Sequence, residues 1–372
     1  MINKKLIEKR KWIRLTKICN NKCLFCLDKD CQDGSIIPLS QIINELKKGH
    51  YNEKCNRVVL SGGEPTLHPD FIKIIKISKK IGYNHIQVIT NGRIFYYNDF
   101  LKESVKSGLN EITFSIHGHT PNEHDLLTGI KGSFYQTLTG IINAKKINNL
   151  IISSDIVVNK INVDSLLKII KLLYRVGVDE YDLLHIMPFG RAWENWKILN
   201  YKPEEKKDIF REVFKFVEEI KGHVWTNRFP LSFFDEENEK YMQHPIKLLD
   251  EIRGREEILN KFLFSSIQPP CKGERCNFCV LNQFCKDIEK IKKYGFLESV
   301  SNPECMKNNK NNNTKKIYID KTNINELGNF FINSRLTIKT KKCDICKNRK
   351  NCNGVLVKDI IKNGFEIINP IK

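Results

Sequence analysis

The chain has 372 residues, of which 41% are hydrophobic and 28% are charged. These fractions are typical of globular proteins and exclude a disordered chain, and the length allows a large domain and a smaller one. No run of about 18 apolar residues occurs, as a membrane-spanning helix would require. The basic N-terminus is followed by polar residues, unlike that of a secreted protein. We therefore expect a cytoplasmic protein with no membrane partner.

The formal net charge of +19 is compatible with nucleic-acid binding, because Lys and Arg neutralise phosphates. The alternative is a composition bias, since Lys far outnumbers Arg and both Asn and Ile are abundant. The sequence has no Arg-rich run and no basic stripe interleaved with aromatic residues, which are the marks of a nucleic-acid surface. Charge alone leaves RNA open as a partner.

The chain contains thirteen cysteines in an uneven distribution. Four lie between Cys19 and Cys31, Cys55 follows, and eight lie between Cys271 and Cys352. Disulfides are disfavoured in the cytosol, where clustered cysteines more often bind metals or take part in redox chemistry. The clustering therefore predicts metal or redox centres near the start of the chain and in its last third.

Short apolar runs rich in β-branched residues recur along the first half of the chain, and helical patterns such as Phe71–Ile77 and Leu166–Leu173 separate most of them. The runs are Val58–Leu60, Ile86–Ile89, Ile112–Phe114, Ile156–Val158 and Leu183–Ile186, and Trp12–Ile18 is the predicted first strand. Such alternation of strands and helices predicts right-handed βαβ units and a parallel sheet. We therefore predict an α/β fold with six strand–helix units.

Polar and glycine residues follow most of the predicted strands. They occur at Ser61–Glu64, Thr90–Gly92, Ser115–Gly118, Asn159–Lys160 and Met187–Gly190. The carboxyl ends of parallel strands share one edge of a sheet, and ligands bind at that edge in α/β proteins. The repetition predicts a binding site there, although a single such turn would indicate no more than a change of chain direction.

The pattern changes after residue 200. Residues 203–221 and 246–264 have helical patterns, residues 303–316 form a low-complexity linker, and the tail contains further cysteines. We therefore predict a core at residues 1–200, a helical connection at 201–265 and a smaller cysteine-rich extension at 266–372.

Three cysteines directly follow the first predicted strand. Cys19, Cys23 and Cys26 form a C-x3-C-x2-C array. Three thiolates on one tight loop can hold three irons of a 4Fe-4S cluster, which normally takes four protein ligands. The fourth iron would then accept a ligand from outside the protein, as catalytic zinc does at its open position. Structural zinc and free buried thiols are the alternatives.

The array and the Gly62-Gly63-Glu64 segment together resemble the radical S-adenosylmethionine (radical SAM) superfamily. Its cysteine motif is C-x3-C-x-aromatic-C, with Phe25 at the aromatic position, and its Gly-Gly-Glu motif follows the second strand. The resemblance implies a partial (β/α)6 parallel barrel and S-adenosylmethionine chelated to the open iron. It also implies that Glu64 contacts the methionyl ammonium, that Gly62 and Gly63 let backbone carbonyls approach it, and that Phe25 lies near the adenine.

Further positions match the family less closely. Asn91 ends the third strand, Ser115 and His117 end the fourth, and Asn159 follows the fifth. The resemblance implies cofactor contacts for Asn91 and Ser115 and a ribose contact for Asn159. Ordinary packing at the end of a strand is an equal alternative for His117.

The cysteines of the last third form two groups with similar spacing. The first is Cys271, Cys276, Cys279 and Cys285, and the second is Cys343, Cys346 and Cys352, for which Cys305 can supply a fourth ligand. The spacings resemble the SPASM and twitch extensions of radical SAM enzymes, which implies one or two auxiliary 4Fe-4S clusters. Such domains usually end in a further cysteine, where this chain has Leu356. Structural zinc is the alternative for both groups.

The resemblance predicts an enzyme that cleaves S-adenosylmethionine reductively and abstracts a hydrogen atom from a peptide or protein. An electron donor of low potential, such as a flavodoxin or ferredoxin, would then be a partner. RNA is the alternative substrate on the basis of charge. A non-catalytic protein that binds zinc or an iron–sulfur cluster is a third hypothesis, which the intact cysteine array and Glu64 disfavour.

Overall fold

The computed structural model describes residues 9–301, 303–306 and 314–372. The chain divides into two compact units. The first contains the chain up to Tyr201 together with Asp208–Trp225, and the second contains Lys202–Lys207 and Thr226–Lys372. Residues 307–313 of the predicted linker lie outside the described residues, as do the first eight residues of the chain.

One seven-stranded sheet forms the centre of the first unit, with its strands in chain order. They are β1 (Arg10–Thr16), β2 (Arg57–Gly62), β3 (His85–Thr90), β4 (Glu111–Ser115), β5 (Ile151–Val158), β6 (Glu180–His185) and β7 (His223–Asn227). Neighbouring strands from β1 to β6 pair in parallel. The predicted α/β fold is therefore confirmed, and all six predicted strands are present. β7 was missed, because its residues form no continuous apolar run.

Helices alternate with these strands along the chain. They are α1 (Leu39–Lys47), α2 (Phe71–Ile81), α3 (Asn98–Ser107), α4 (Pro121–Thr128), α5 (Ser133–Lys145), α6 (Leu166–Arg175), α7 (Gly190–Glu194), α8 (Trp196–Leu199) and α9 (Lys207–Glu219). In α6, Leu166, Ile169, Ile170 and Leu173 are buried, at the spacing that places them on one helical face. Burial of each such side chain stabilises the fold by about 2 kcal/mol.

The two faces of the sheet differ in chemistry. Ile112 and Phe114 of β4 are fully buried, and Phe114 meets Phe95 at a ring distance of 6.1 Å. On the opposite face, the Arg57 guanidinium donates to Gln87 Oε1 over 2.7 Å and to Glu111 Oε2 over 2.9 Å. These three polar residues lie in the amino-terminal halves of β2 to β4 and are buried. The polar face is thus closed at that end by side chains that satisfy one another.

The second unit contains helices and two short antiparallel hairpins. The elements are α10 (Ile246–Arg253), α11 (Glu256–Phe264), α12 (Asn282–Tyr294), β8 (Phe296–Glu298), β9 (Lys316–Tyr318), α13 (Ile324–Ser334), β10 (Thr337–Ile338), β11 (Val355–Leu356) and α14 (Val357–Asn363). β8 pairs with β9, and β10 pairs with β11. Within the residues described, no helix is both long and apolar enough to cross a membrane.

Two predicted helices have different bounds in the structure. The helix predicted at 203–221 begins as a short 3-10 helix at Pro203–Lys206 and becomes α-helical only at Lys207. The helix predicted at 246–264 is two helices, α10 and α11, separated at Gly254. Glycine costs about 1 kcal/mol in a helix interior, so a break there is expected.

Candidate cluster and cofactor site

The three cysteines after β1 are partly exposed and form no disulfides. The thiols of Cys19 and Cys26 interact electrostatically with that of Cys23, so the three lie close together. Burial raises the pKa of Cys19 to about 11 and also raises the pKa of Cys23 and Cys26. These thiols are therefore protonated at neutral pH, and metal binding must release their protons.

The donor set of this loop fits an iron–sulfur cluster. Three sulfur ligands with no carboxylate or imidazole among them are the ligands that such clusters take. Among the described residues, no three His, Cys, Asp or Glu side chains are grouped so as to hold one metal ion. A four-iron cluster needs a wider arrangement, because each thiolate binds a different iron.

The end of β3 holds the spacer between Cys19 and Cys23. The Asn91 side-chain amide donates to Asn20 Oδ1 over 2.6 Å. The Arg93 guanidinium donates to Asn20 O over 2.7 Å and to Asn21 Oδ1 over 2.9 Å, and its Nε donates to Gln136 Oε1 over 2.6 Å. The backbone of the spacer is therefore fixed by side chains from another strand end.

Two further elements hold the rest of the cysteine loop. At α4, the Leu24 N–H donates to Leu127 O over 2.9 Å. At α7, the Arg191 N–H donates to Cys26 O over 2.9 Å, and the Asn195 amide donates to Leu24 O over 3.0 Å. The loop is thus held by three other parts of the chain, which favours preorganised ligands.

Gly62 and Gly63 allow the loop after β2 to approach the segment before Cys19. The Gly63 N–H donates to Thr16 O over 2.8 Å, and the next N–H along the chain donates to Ile18 O over 2.7 Å. A Cβ atom at position 63 would lie 2.1 Å from Ile18 O, and one at position 62 would lie 2.5 Å from Thr16 O. Both glycines are therefore required by backbone contact with the start of the cysteine loop.

Glu64 is fully buried, and its carboxylate is surrounded by donors. Oε1 accepts hydrogen bonds from the Thr66 and Thr90 hydroxyls, both over 2.6 Å. Oε2 accepts one hydrogen bond, from the Asn91 N–H over 2.8 Å. Burial raises the pKa of Glu64, while these hydrogen bonds oppose the rise. A carboxylate oxygen has two lone pairs, so Oε2 has room for one more donor.

Phe25 belongs to an apolar cluster beneath the cysteine loop. It packs with Leu127, Ile186 and Trp196, and its ring meets His117 edge-on at 4.5 Å. His117 is buried, and its Nδ1 accepts a hydrogen bond from the Val157 N–H over 3.2 Å. Burial lowers the pKa of His117 well below its usual value, so this imidazole is neutral.

The other two predicted cofactor contacts have different surroundings. Ser115 is half-buried at the end of β4 and stands opposite Asp155 of β5. Asn159 is fully buried, and its side-chain amide closes its own turn by donating to Val157 O over 3.0 Å and accepting from the Ile161 N–H over 2.9 Å. The structure therefore shows a turn-forming role for the Asn159 side chain.

The first cysteine group of the second unit lies on the loop before α12 and at the start of that helix. Cys271, Cys276 and Cys279 all interact electrostatically with the Cys285 thiol. Burial raises the pKa of Cys285 to about 12 and that of Cys279 to about 11. Four sulfur ligands in mutual reach can close a cluster completely.

The second group brings Cys305 close to three cysteines that are distant in sequence. The Cys305 thiol interacts electrostatically with Cys343, Cys346 and Cys352. Leu356, at the position where a further cysteine is usual, is buried in β11 and pairs with Thr337 of β10. Cys305 therefore lies near the three cysteines of this group, whereas position 356 carries no sulfur.

Part of the first unit is similar to a known protein family. The family profile described as "Radical SAM superfamily" matches residues 13–173. This segment belongs to the radical SAM superfamily.

A "Probable GTP 3',8-cyclase" of Saccharolobus islandicus (strain L.S.2.15 / Lassen #1) is 29% identical over 208 residues, which cover 56% of this chain and 64% of the relative. The corresponding protein of Metallosphaera sedula is 28% identical over 55% of this chain and 63% of its own length. The chain thus spans less than two thirds of these curated relatives.

Two solved structures share the fold over nearly the whole chain. The crystal structure of Streptococcus suis SuiB bound to precursor peptide SuiA covers 99% of this chain and 76% of that chain, at a TM-score of 0.51 and 13% identity. Native anSMEcpe with bound AdoMet and Kp18Cys peptide covers 97% of this chain and 92% of that chain, at a TM-score of 0.50 and 15% identity. At these identities the likeness concerns the fold alone.

Several residues that hold the cysteine loop after β1 were not singled out from the sequence for that role. Arg93, Gln136, Arg191 and Asn195 all bond to the loop or to one another beside it. Arg93 and Arg191 lie within a few residues of the ends of β3 and β6, the edge at which polar residues were noted. Their position was thus visible in the sequence, whereas their partners were not.

Proposed function

We propose that this chain cleaves S-adenosylmethionine reductively at a 4Fe-4S cluster held by Cys19, Cys23 and Cys26, and then abstracts a hydrogen atom from a substrate. The observation that carries the proposal is the direct bonding of the Gly-Gly-Glu loop to the cysteine loop. The N–H groups of Gly63 and Glu64 donate to the residues that lead into Cys19. A ligand of the open iron would therefore lie within reach of both motifs.

When bound, the cluster supplies the electron that breaks a carbon–sulfur bond of S-adenosylmethionine, giving methionine and a 5′-deoxyadenosyl radical. The protein positions the reactants and excludes water. In our proposal, the methionyl ammonium donates a hydrogen bond to Glu64 Oε2, which already accepts one from the Asn91 N–H. Phe25 presents an apolar surface to the adenine, backed by Leu127 and Trp196. Ser115 and Asn159 are further candidate contacts, Asn159 through its backbone.

We further propose residues 266–372 as an auxiliary-cluster region, joined to the core by residues 201–265. Cys271, Cys276, Cys279 and Cys285 would hold one 4Fe-4S cluster. Cys305 would complete a second with Cys343, Cys346 and Cys352. Mutual electrostatic interaction within each set supports this assignment. A flavodoxin or ferredoxin would deliver the electrons.

A peptide or protein is our first candidate for the substrate. Two solved structures that share the fold over at least 97% of this chain are complexes with peptides. Their likeness extends over the cysteine-rich tail, whereas the similarity to the curated relatives covers 56% of the chain. The inference uses analogy of fold, which is weak evidence for a substrate.

A guanine nucleotide is the second candidate, because the curated relatives are named as probable GTP 3′,8-cyclases. A nucleotide triphosphate also matches the formal charge of +19, since cationic side chains attract phosphates. The hydrogen atom would come from a peptide or protein in the first case and from the nucleotide in the second, so isotope labelling can separate the two candidates.

Cofactor cleavage is tested with anaerobically reconstituted protein reduced by dithionite. The wild type should convert S-adenosylmethionine to 5′-deoxyadenosine, and Cys23→Ala should not. Cys31→Ala is the matched control, because Cys31 is an exposed cysteine outside the array and its loss should leave the product yield unchanged. Equal product from wild type and Cys23→Ala would exclude the proposed cleavage.

The substrate class is tested through the hydrogen atom that 5′-deoxyadenosine acquires. The wild type is incubated with peptides and proteins from cells grown on perdeuterated amino acids, and in parallel with GTP. Deuterium in 5′-deoxyadenosine would support a peptide or protein substrate. Depletion of GTP, with no deuterium transfer in the first reaction, would overturn it in favour of the nucleotide.

A further inference from the structure

Arg191 is a cation fixed beside the cysteine loop at two points. Its N–H donates to Cys26 O over 2.9 Å, and its Nη1 donates to Cys23 O over 3.3 Å. The preceding residue permits this approach, because a Cβ atom at Gly190 would lie 2.4 Å from Cys26 O. The guanidinium is therefore held near the loop rather than free to swing into solvent.

The charge of Arg191 acts on all three cysteines of the loop. It lowers the pKa of Cys19, Cys23 and Cys26, against the larger effect of burial, which raises each. A cation favours negative charge on groups within a few ångströms. The guanidinium thus lies within electrostatic reach of the space that the three sulfurs border.

Within the described part of the chain, Arg191 forms no ion pair with a carboxylate. Two acidic residues close to Arg191 or to the cysteine loop in sequence have other partners, since Glu194 pairs with Lys29 and Asp28 pairs with Arg14. The charge of Arg191 is therefore not compensated by a protein carboxylate.

Building on the proposed function, we propose that Arg191 raises the reduction potential of the cluster bound by Cys19, Cys23 and Cys26. Each reduction adds one electron, which comes from an external donor such as a flavodoxin, a ferredoxin or dithionite. The added negative charge interacts favourably with a nearby uncompensated cation, and local charge is one of the factors that set cluster potentials. Arg191 is thus a positioning residue that also makes the electron transfer preceding cofactor cleavage easier.

The test is a redox titration of the reconstituted full-length chain, followed by electron paramagnetic resonance. The relevant signal is the one that changes on addition of S-adenosylmethionine. Arg191→Gln should lower the ratio of reduced to oxidised cluster at a fixed potential about tenfold, which corresponds to about 59 mV for a one-electron couple. Arg191→Lys, which keeps the charge, should recover most of the ratio. An unchanged ratio in Arg191→Gln would overturn the proposal.

Arg93→Gln is the matched control for loosening of the loop. It also removes a guanidinium that bonds to the loop backbone, but from the spacer at Asn20 and Asn21. A shift in Arg93→Gln as large as that in Arg191→Gln would assign the effect to loop geometry and overturn the proposal. A potential unchanged in Arg93→Gln would support it.

Arg191→His covers the case in which Arg191→Gln binds no cluster. Histidine loses its charge near pH 6.5, so the potential of this variant should fall between pH 6 and pH 8.5 by more than that of the wild type. An equal change of potential with pH in Arg191→His and in the wild type would overturn the proposal. Failure of the proposed function would look different, because the wild type itself would then give no signal that responds to S-adenosylmethionine.

Discussion

Oε2 of Glu64 accepts a hydrogen bond from the backbone N–H of Asn91, and the side chain of Asn91 donates in turn to Asn20 in the cysteine loop. The carboxylate after β2 is therefore linked to the cluster ligands through a residue after β3. Glu64 thus has a structural role in addition to the proposed contact with S-adenosylmethionine.

Glu64→Gln should destabilise the protein even without cofactor. The amide would bring an N–H donor against the Thr66 N–H in one orientation or against the Asn91 N–H in the other, and an unsatisfied buried donor costs about 1–3 kcal/mol. Urea unfolding of the apoprotein measures this free energy. Glu103→Gln is the control, because Glu103 pairs with Lys76 at the surface. Unfolding of Glu64→Gln at the wild-type urea concentration would limit Glu64 to a role in cofactor binding.

Gly63→Ala should separate the two motifs. The new methyl group would lie 2.1 Å from Ile18 O, so the backbone must move, at a cost of about 3 kcal/mol or more. We expect a lower melting temperature and lower iron content after reconstitution. Gly254→Ala is the control, since its backbone has a helical φ of −60° and the nearest contact of an added Cβ atom is 3.3 Å. Equal iron content in wild type and Gly63→Ala would argue against tight contact between the motifs.

The first six strands and the residues at their ends were predictable because they depend on local patterns. Apolar runs such as Val58–Leu60 have a period that sequence reveals, and the glycines after β2 stand beside a strand whose end is visible. By contrast, β7 mixes polar and apolar residues, and α10 and α11 read as one helix until the break at Gly254 is seen.

Partnerships between distant residues could not be predicted. Arg93 meets Asn20 across 73 positions, and Asn195 meets Leu24 across 171. The glycines illustrate the same limit: the resemblance implied that Gly62 and Gly63 let backbone carbonyls approach the methionyl ammonium, whereas their close packing against Thr16 and Ile18 is visible only in the structure. Asn159, predicted to contact ribose, uses its side chain to close its own turn.

Arg93→Gln should lower the affinity for iron. Arg93 makes two hydrogen bonds to the spacer between the first two cysteines, and each such bond to a charged group contributes about 1.5–3 kcal/mol. Without them the spacer samples more conformations, so ligand preorganisation is lost. Iron per chain should fall at limiting iron and recover at excess. Lys22→Gln, which changes an exposed residue of the same loop, serves as control. Full occupancy of Arg93→Gln at limiting iron would contradict this expectation.

Protonation of His124 should lower the free energy of unfolding at acidic pH. His124 is buried and its Nδ1 accepts from the His117 N–H over 3.1 Å, while burial lowers its pKa to about 4. The unfolded chain binds a proton near pH 6.5, so stability is complete above that pH and is lost as the pH falls toward 4. Between pH 8 and pH 5 the loss is about 2 kcal/mol.

His124→Asn isolates this contribution in urea unfolding at the two pH values. The Asn oxygen can accept the same hydrogen bond, but it does not titrate. The variant should therefore lose about 2 kcal/mol less than the wild type on acidification, whereas His223→Asn, at an exposed histidine, should follow the wild type. Parallel behaviour of His124→Asn and wild type would show that His124 is not kept neutral by the fold.

Iron counts on single variants should separate the two cysteine groups of the second unit. If each set of four thiols holds a 4Fe-4S cluster, Cys271→Ala and Cys305→Ala should each remove about four irons per chain, and the double variant about eight. Cys55→Ala is the control, because Cys55 is buried outside every array. The Cys305 variant is the stricter test of the second group, because this residue lies at least 38 positions from the cysteines with which it interacts. Unchanged iron together with zinc in the purified wild type would assign the tail to structural zinc instead.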